Sequence, residues 1–443
     1  MEYTSVMTII MSRNRRQRSF ARPIAASAAV LALLAVSACS TNDTPSDGGD
    51  DAKVTVRFTY LWTGTEGEAV EEVIAAFNAS QDKITVVGTS NPDQQAQVLS
   101  MQSSNPQFDI SGTGNSQIAP WAGSAAIKSL TPLIEADGYD TADFLPAAIQ
   151  NNTVDGELYA LPIASNTYQM LYNKDVLAEA GISDPPATFE DWANVIRQTS
   201  VVQDGEITRL GVQPVIDYAL LAMAYGGAWY DASGNPTPDN PRNIEALQWW
   251  MDNVVTPYGY DDLQTFQSGL GEWGTPEYPF YAGDFTTMFD GNWQSAFIAR
   301  LRPDLNWGVA PFPYPADRPE AKGVSRLDLS NLFIPSNSAH PEEAWEFMKF
   351  YLSNDQMRGF TLALANLPGR TSLLDDPAYA ELPNFSGFLE AVKSPLVEPS
   401  YSMPFSAEYS TDMGAAFGEI VAGNTDPATA MAELAEKAKS YSR

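Results

Sequence analysis

The chain has 443 residues, 44 % of them hydrophobic and 11 % aromatic, with 25 Lys and Arg against 55 Asp and Glu, a formal charge of −30. A balance this acidic offers no basic patch to neutralise phosphates, so it excludes nucleic acid and anionic lipid surfaces as natural partners and suits a neutral or cationic ligand. A single cysteine excludes an internal disulfide, and the length exceeds what one hydrophobic core serves, so two lobes held by packing alone are expected.

At the N-terminus, Arg13, Arg15, Arg16, Arg18 and Arg22 precede an apolar run of 16 residues from Pro23 to Ala38. A basic stretch followed by a short apolar one is an export signal, and the run falls short of the roughly 20 residues that cross a bilayer as a helix. Val36-Ser37-Ala38-Cys39 resembles the lipobox of bacterial lipoproteins. That resemblance implies cleavage before Cys39 and acylation of its thiol, making residues 1–38 a leader and Cys39 a membrane anchor; several acyl chains together hold firmly where one binds only reversibly. The Arg-rich "RRQRSF" leaves both the general and the twin-arginine export routes open, and Met11 is as good a start as Met1. Without the leader's five basic residues and one acidic residue, 20 basic face 54 acidic side chains, a charge of −34. "STNDTPSDGGDD" (40–51) has no apolar residue. Together with Cys39 it makes 39–52 a tether whose dozen residues reach roughly 20 Å as a flexible coil.

Order is expected from "KVTVRFTYLW" (53–62), a β-branched and aromatic strand. The next stretch carries Val70, Val73, Ile74 and Phe77 at helical spacing, with Thr63 and Glu66 placed as a capping box. "KITVV" (83–87) reads as a second strand, giving a βαβ unit and a parallel sheet with helices on its faces. Ligands of such sheets bind beyond the carboxyl ends of the strands, which makes Trp62 and Thr63 site candidates. In "FDISGTGNS" (108–116) a short strand ends at Ile110 and leaves through Gly112 and Gly114, exposing Asn115 and Ser116. Further on, "YALPIASNTYQMLYNKDVLAEAGISDPPATFEDW" (159–192) predicts an extended Leu-Pro segment, a strand through Gln169–Tyr172, a helix stopped at Gly181 and another capped at Thr188. Single amphipathic helices are predicted over "HPEEAWEFMKFYLSNDQM" (340–357) and "DPATAMAELAEKAKSY" (426–441).

The 159–192 stretch resembles the extracellular solute-binding proteins of ABC importers, in particular the family-1 group that binds sugars and includes maltose-binding proteins. "YAGDFTTMFDGNWQSAF" (281–297), "WGVAPFPYP" (307–315), "LFIPSNSAHPEEAWEFMKFYLS" (332–353), "LPGRTSL" (367–373) and "GGAWYDASGNPTPDNPRNIEALQWW" (226–250) match other family segments in the same order, so the likeness runs from about 53 to 438. It implies an α/β, two-lobe periplasmic-binding-protein-like fold with hinge crossings and a ligand cleft between lobes. By matching segments, one lobe holds 53–163 and 328–366, the other 164–327 and 367–443. The implied partners are a carbohydrate, the transmembrane subunits of an ABC permease, and the membrane through the lipid anchor, with the protein a monomer on the outer face of the cell membrane. No cofactor and no catalytic residue is implied.

A sugar needs flat aromatics for its C–H face and fixed polar groups for its hydroxyl rim, because a hydroxyl buried unpaired costs about 1–3 kcal/mol. Trp192, Trp249, Trp250 and Trp345 fall in helical patterns and read as core. Trp62, Trp229 and Trp293 sit at a strand end, after Gly226-Gly227, and after Asp290-Gly291-Asn292, and read as ligand contacts. The resemblance singles out Trp293, whose counterpart in maltose-binding members stacks on sugar. Asn166 stands at the first crossing, where those members carry a glutamate, which argues for a different sugar. Asn115, Ser116, Asp290 and Arg370 are polar candidates; Asp290 also fits a turn, and Arg370 a surface ion pair. Asp328 and Asn331 stand where the family has small glycines in its second crossing, to bond ligand or to cap the hinge.

"DASGNPTPDN" (231–240) spaces oxygen side chains like a calcium loop but carries Pro236 and Arg242 where glycine and glutamate are needed, so it reads as a hairpin. His340 is the only histidine and precedes Pro341 at a helix start, which argues against a Ser-His-Asp triad or a His-based metal site. Two other functions remain open at this stage. One is the same binding role toward a polyol, amino acid or polyamine; the other is a secreted glycosidase built on two of the many carboxylates. Cys39→Ala is expected to leave folding intact and to move the protein from the membrane pellet to the soluble fraction; a variant that still pellets would refute the anchor.

Overall fold

A computed structural model describes residues 53–231, 233–399 and 403–441. The leader, Cys39 and the tether lie outside the described residues. The central element is a nine-stranded mixed sheet. In chain order its strands are β1 (Val54–Tyr60), β2 (Ile84–Ser90), β3 (Ile110–Gly114), β4 (Leu161–Asn173), β5 (Thr287–Gly291), β6 (Trp307–Ala310), β7 (Ser325–Phe333), β8 (Leu367–Pro368) and β9 (Val397–Pro399). The spatial order is β6-β4-β7-β3-β1-β2, with β5 and β8 on β4 and β9 on β7.

The βαβ expectation holds. β1 pairs parallel with β2 and with β3, and the helix between β1 and β2, α1 (Gly64–Ser80), buries Val70, Val73, Ile74 and Phe77. Phe77 meets Phe347 and Phe350 edge-on. The predicted capping box at its start does not form: Thr63 is the N-cap but its side chain accepts no cap hydrogen bond. The box forms instead at Thr188, whose hydroxyl accepts from the Asp191 N–H while the Asp191 carboxylate accepts from the Thr188 N–H. The stretch 340–357 gives two helices, Pro341–Tyr351 and Asn354–Leu364, because Ser353 takes an extended ψ of 151° and starts a new N-cap.

β4 departs most from expectation. The Leu-Pro segment and the strand after it are one continuous strand of 13 residues. Its first half pairs with β7, from Leu161↔Leu332 to Thr167↔Leu327, and its second half pairs with β5 and β6, from Tyr168↔Gly291 to Asn173↔Trp307. β4 therefore belongs to two neighbourhoods at once.

Two large apolar cores flank this arrangement. One gathers Val56, Phe58, Ile110, Phe347 and Tyr351 and continues to Leu171, Met288, Trp307 and Phe388. The other holds Trp192, Leu221, Trp250, Tyr409 and Met431. The first core thus crosses the expected limits at 163 and 328, since residues of both segments pack into it. Trp192, Trp250 and Trp345 are buried as expected, and Trp249 stacks on Trp192.

β3 runs through Gly112 instead of ending at Ile110 because Ser111 to Gly114 pair antiparallel with Phe333 to Ser330 of β7, and position 112 is glycine because of Trp62. Its ring lies where a Gly112 side chain would project, 2.9 Å from the ideal Cβ position, and edge-on to Phe360. Gly112→Ala is expected to lower stability by about 1–3 kcal/mol through overpacking, read as a lower urea midpoint at unchanged slope. An unchanged midpoint would show that the ring has room to move.

Candidate functional site

Side chains two apart on a strand share a face, and directly opposed residues on paired strands share it too. Asn166 opposes Asp328 and Thr167 opposes Leu327, so Asn166 and Tyr168 of β4 present one face with Arg326 and Asp328 of β7. Arg326 also opposes Glu398 on β9, which extends the row across three strands. Gly291 at the end of β5 opposes Tyr168, and Trp293 follows two residues later.

Tyr168 is the centre of the cluster. Its hydroxyl donates to Asp328 Oδ2 at 2.7 Å, the Arg326 guanidinium lies 4.2 Å from its ring centroid, and the Trp293 ring meets it edge-on at 5.5 Å. Burial, and then the Asp328 charge, hold the Tyr168 phenol well above its usual pKa, so it remains a neutral donor. Arg326 is ion-paired with Asp328 at 3.2 Å and with Asp217. Asp217 arrives as the N-cap of the helix Tyr218–Ala224, where its other oxygen accepts from the Leu220 N–H. One guanidinium therefore ties two carboxylates, from a helix start and a strand, against one aromatic ring.

Trp293 is fixed from below and from behind. An ideal Cβ at Gly291 would fall 2.2 Å from its ring, so only glycine lets the indole lie over the strand end. Between them, Asn292 stitches the turn to β4: its Oδ1 accepts from the Thr167 N–H at 2.9 Å, and its Nδ2 donates to Asn166 Oδ1 at 3.0 Å and to the Ala365 carbonyl at 2.8 Å. Asp290 accepts from the Gly291 N–H and from Gln294 Nε2. Beside this face a cavity of about 230 Å³ is lined by Met223, Gly226, Gly227, Arg318, Val324 and Glu398.

Of the residues expected from sequence, Asn166, Asp290, Trp293 and Asp328 come together here. Asn115 follows the end of β3 and, against the expected exposure, is only 4 % exposed, its Oδ1 accepting from the Leu329 N–H at 3.3 Å, with half-buried Ser116 next to it. Thr63 is exposed at the start of α1.

Four residues are corrected. Trp62, 7 % exposed, is held in the core by Gly112 and Phe360. Trp229 is 4 % exposed, donates its Nε1–H to the Ala219 carbonyl and packs edge-on to Phe417. Asn331 is buried beyond a bulge at Ser330/Asn331, with its Oδ1 accepting from Asn152 Nδ2. Arg370, 9 % exposed, is an internal clamp: it donates to the Leu352 carbonyl and the Tyr139 hydroxyl, pairs with Asp143 and lies over the Phe144 ring. Tyr168, Asp217, Asn292 and Arg326 belong to the same cluster without having been singled out in sequence; only the Asp-Gly-Asn-Trp run hinted at one of them.

The chain matches, over residues 72–387, the family described as bacterial extracellular solute-binding protein. That is most of its length, and the chain belongs to this family. It is 27 % identical over 315 residues to the maltotriose-binding protein of Pyrococcus abyssi, a stretch covering 68 % of this chain and 62 % of that protein's length. It is 25 % identical over 396 residues to the galactooligosaccharide-binding protein of Bacillus subtilis, covering 86 % of this chain and 88 % of the relative. Among solved structures, CpMnBP1 with mannobiose bound superposes with a TM-score of 0.77 at 23 % identity, over 87 % of this chain and all of that one. The cyclic alpha-maltosyl-1,6-maltose binding protein from Arthrobacter globiformis gives a TM-score of 0.70 at 21 % identity, over 87 % and 98 %. The fold is the two-lobe α/β fold of these proteins.

Burial pushes the Asp290 carboxyl up to about 6, against the partial relief of its bonds from Gly291 and Gln294. The folded state thus holds a proton there more tightly than the unfolded chain, whose aspartate titrates near 3.9. The stability this proton contributes is present below about pH 4 and is lost as pH rises to about 6. Compared with Asp290→Asn, which does not titrate, the wild type should lose on the order of 2 kcal/mol of unfolding free energy across that window. Denaturant titrations of both proteins at pH 4 and 7 check this, and a pH-independent difference would contradict it.

Proposed function

We propose that the protein is the lipid-anchored, extracytoplasmic solute-binding component of an ABC importer, and that it captures a carbohydrate, in particular an oligosaccharide, and hands it unchanged to the permease. The observation that carries this reading is the Tyr168–Arg326–Asp328 face with Trp293 at its edge. It combines a half-buried indole for a sugar's C–H face with fixed donors and acceptors for its hydroxyls. The oligosaccharide ligands named for the relatives agree with that chemistry.

In this reading the lobes 53–163 plus 328–366 and 164–327 plus 367–443 move about β4 and β7, and Asn115, Ser116, Asn166, Asp290, Trp293 and Asp328 contact the sugar together with Tyr168, Arg326 and Asp217. The protein acts as a monomer held near its permease through Cys39. A polyamine or other cationic ligand fits less well despite the acidic surface, because Arg326 already occupies Asp217 and Asp328. Paired with Arg326, Asp217 and Asp328 are not free to serve as the proton donor and the nucleophile or base that a glycosidase needs.

A calorimetric titration with manno-, malto- and galacto-oligosaccharides should give saturable binding to one of these series. Trp293→Ala should weaken it about 10- to 150-fold, the worth of burying a large apolar face of roughly 1.5–3 kcal/mol at 1.4 kcal/mol per decade. If the variant loses stability and keeps its affinity, Trp293 is a core residue and the site is misplaced.

A further inference from the structure

Among the described residues, the strongly exposed large apolar side chains include one aromatic, Trp273, with 57 % of its surface open to solvent. Its setting is built rather than accidental. The loop that carries it folds tightly on itself, since a Cβ at Gly271 would fall 1.9 Å from the Glu277 carbonyl oxygen, and Thr275 closes the turn by donating to the Glu272 carbonyl. The ring meets Phe297 edge-on with centroids 4.6 Å apart. Phe297 lies in the helix Gln294–Leu301, which begins directly after Trp293. Residues four apart on a helix share a face with an axial rise of about 6 Å. Trp293 and the Phe297–Trp273 pair are thus two aromatic stations one helical turn apart along the chain, the second carrying the exposed ring.

The outer station also has polar partners. Arg300 lies 5.1 Å from the Phe297 ring centroid and donates to Thr65 Oγ1 at 2.6 Å. Thr65 belongs to the first turn of α1, next to exposed Thr63. A flat apolar ring bordered by a guanidinium and hydroxyls is the surface a sugar needs, and this one is continuous with the site through a single helix.

We propose that Trp273 and Phe297, bordered by Arg300 and Thr65, form an outer subsite for a further unit of an oligosaccharide whose first units lie against Trp293, so that the protein prefers longer chains to disaccharides. This rests on the carbohydrate-binding reading above. The occupant is a sugar unit because the patch continues the ligand face and alternates apolar and hydroxyl-pairing groups.

The test is calorimetric titration of the full protein with the di-, tri- and tetrasaccharides of the manno-, malto- and galacto-oligosaccharide series. It compares wild type, Trp273→Ala and Trp273→Phe. Trp273→Ala should bind the disaccharide as wild type does and lose roughly three- to tenfold on the longest chain of the series that binds, the range of one aromatic contact; Trp273→Phe should recover most of that loss. The tetrasaccharide, unlike the disaccharide, should also blue-shift a tryptophan emission component that is missing in Trp273→Phe. Equal weakening at every length would overturn the subsite, and so would no change at any length, which would leave the exposed ring to the permease or to a second copy. If the wild type binds none of these sugars, the carbohydrate reading itself fails and takes the subsite with it. That result appears in the wild type, whereas failure of the subsite alone appears only in the comparison with the variants.

Discussion

The structure depends on one strand serving two sets of partners. β4 spends its first seven residues on β7 and its last six on β5 and β6, and the change of partners falls between Thr167 and Tyr168. One ladder ends where the other begins, and the Ser325 hydroxyl spans the junction by accepting from the Tyr168 N–H and donating to its carbonyl. Asn292 reinforces it by binding the Thr167 amide, the Asn166 side chain and the Ala365 carbonyl together. Tyr168 lies on the strand that joins the two cores and Trp293 is held to that strand through Asn292, so the proposed ligand face and the crossing are one structure.

Electrostatics decides what that face presents. The chain is strongly acidic, yet at the crossing Arg326 is shared by Asp217 and Asp328 and covers the Tyr168 ring. The pairing keeps the carboxylates as oriented acceptors rather than as free charge, and burial keeps the tyrosine neutral. In the proposed reading such a surface rewards hydroxyls, which donate and accept, over a cation, which would have to displace the guanidinium. The surplus negative charge is left to the outer surface, where it maintains solubility.

Three tryptophans with similar local sequence have different fates. Trp62 ends a strand, Trp229 follows two glycines and Trp293 follows an Asp-Gly-Asn turn, all settings in which an aromatic opens onto a cleft. Gly112 and Phe360 enclose the first, and Phe417 with the Ala219 carbonyl encloses the second. These partners come from distant parts of the chain, so no local pattern announces them. Trp293 stays half-buried because its own neighbour Gly291 supplies the room beneath it. Arg370 repeats the lesson for a polar residue, as its apparent surface position in sequence becomes an internal clamp once Tyr139, Asp143 and Phe144 surround it.

Local periodicity was enough to find the βαβ unit of β1, α1 and β2, the buried stripe Val70–Phe77, the helix capped at Thr188 and the final helix, because each is built from interactions within a few residues. The family resemblance carried the two-lobe fold and pointed to Trp293, Asn166, Asp328 and Asn331. It did not reach the cluster around Tyr168. Tyr168 reads in sequence as one more core aromatic of a strand, Arg326 as an ordinary strand residue and Asp217 as a helix cap. What joins them is the antiparallel register of β4 on β7, which brings a hydroxyl to a carboxylate 160 residues away. Strand register is set by the packing of the whole sheet, not by the residues on either strand alone, and so only the tertiary structure decided which of the polar residues face one another.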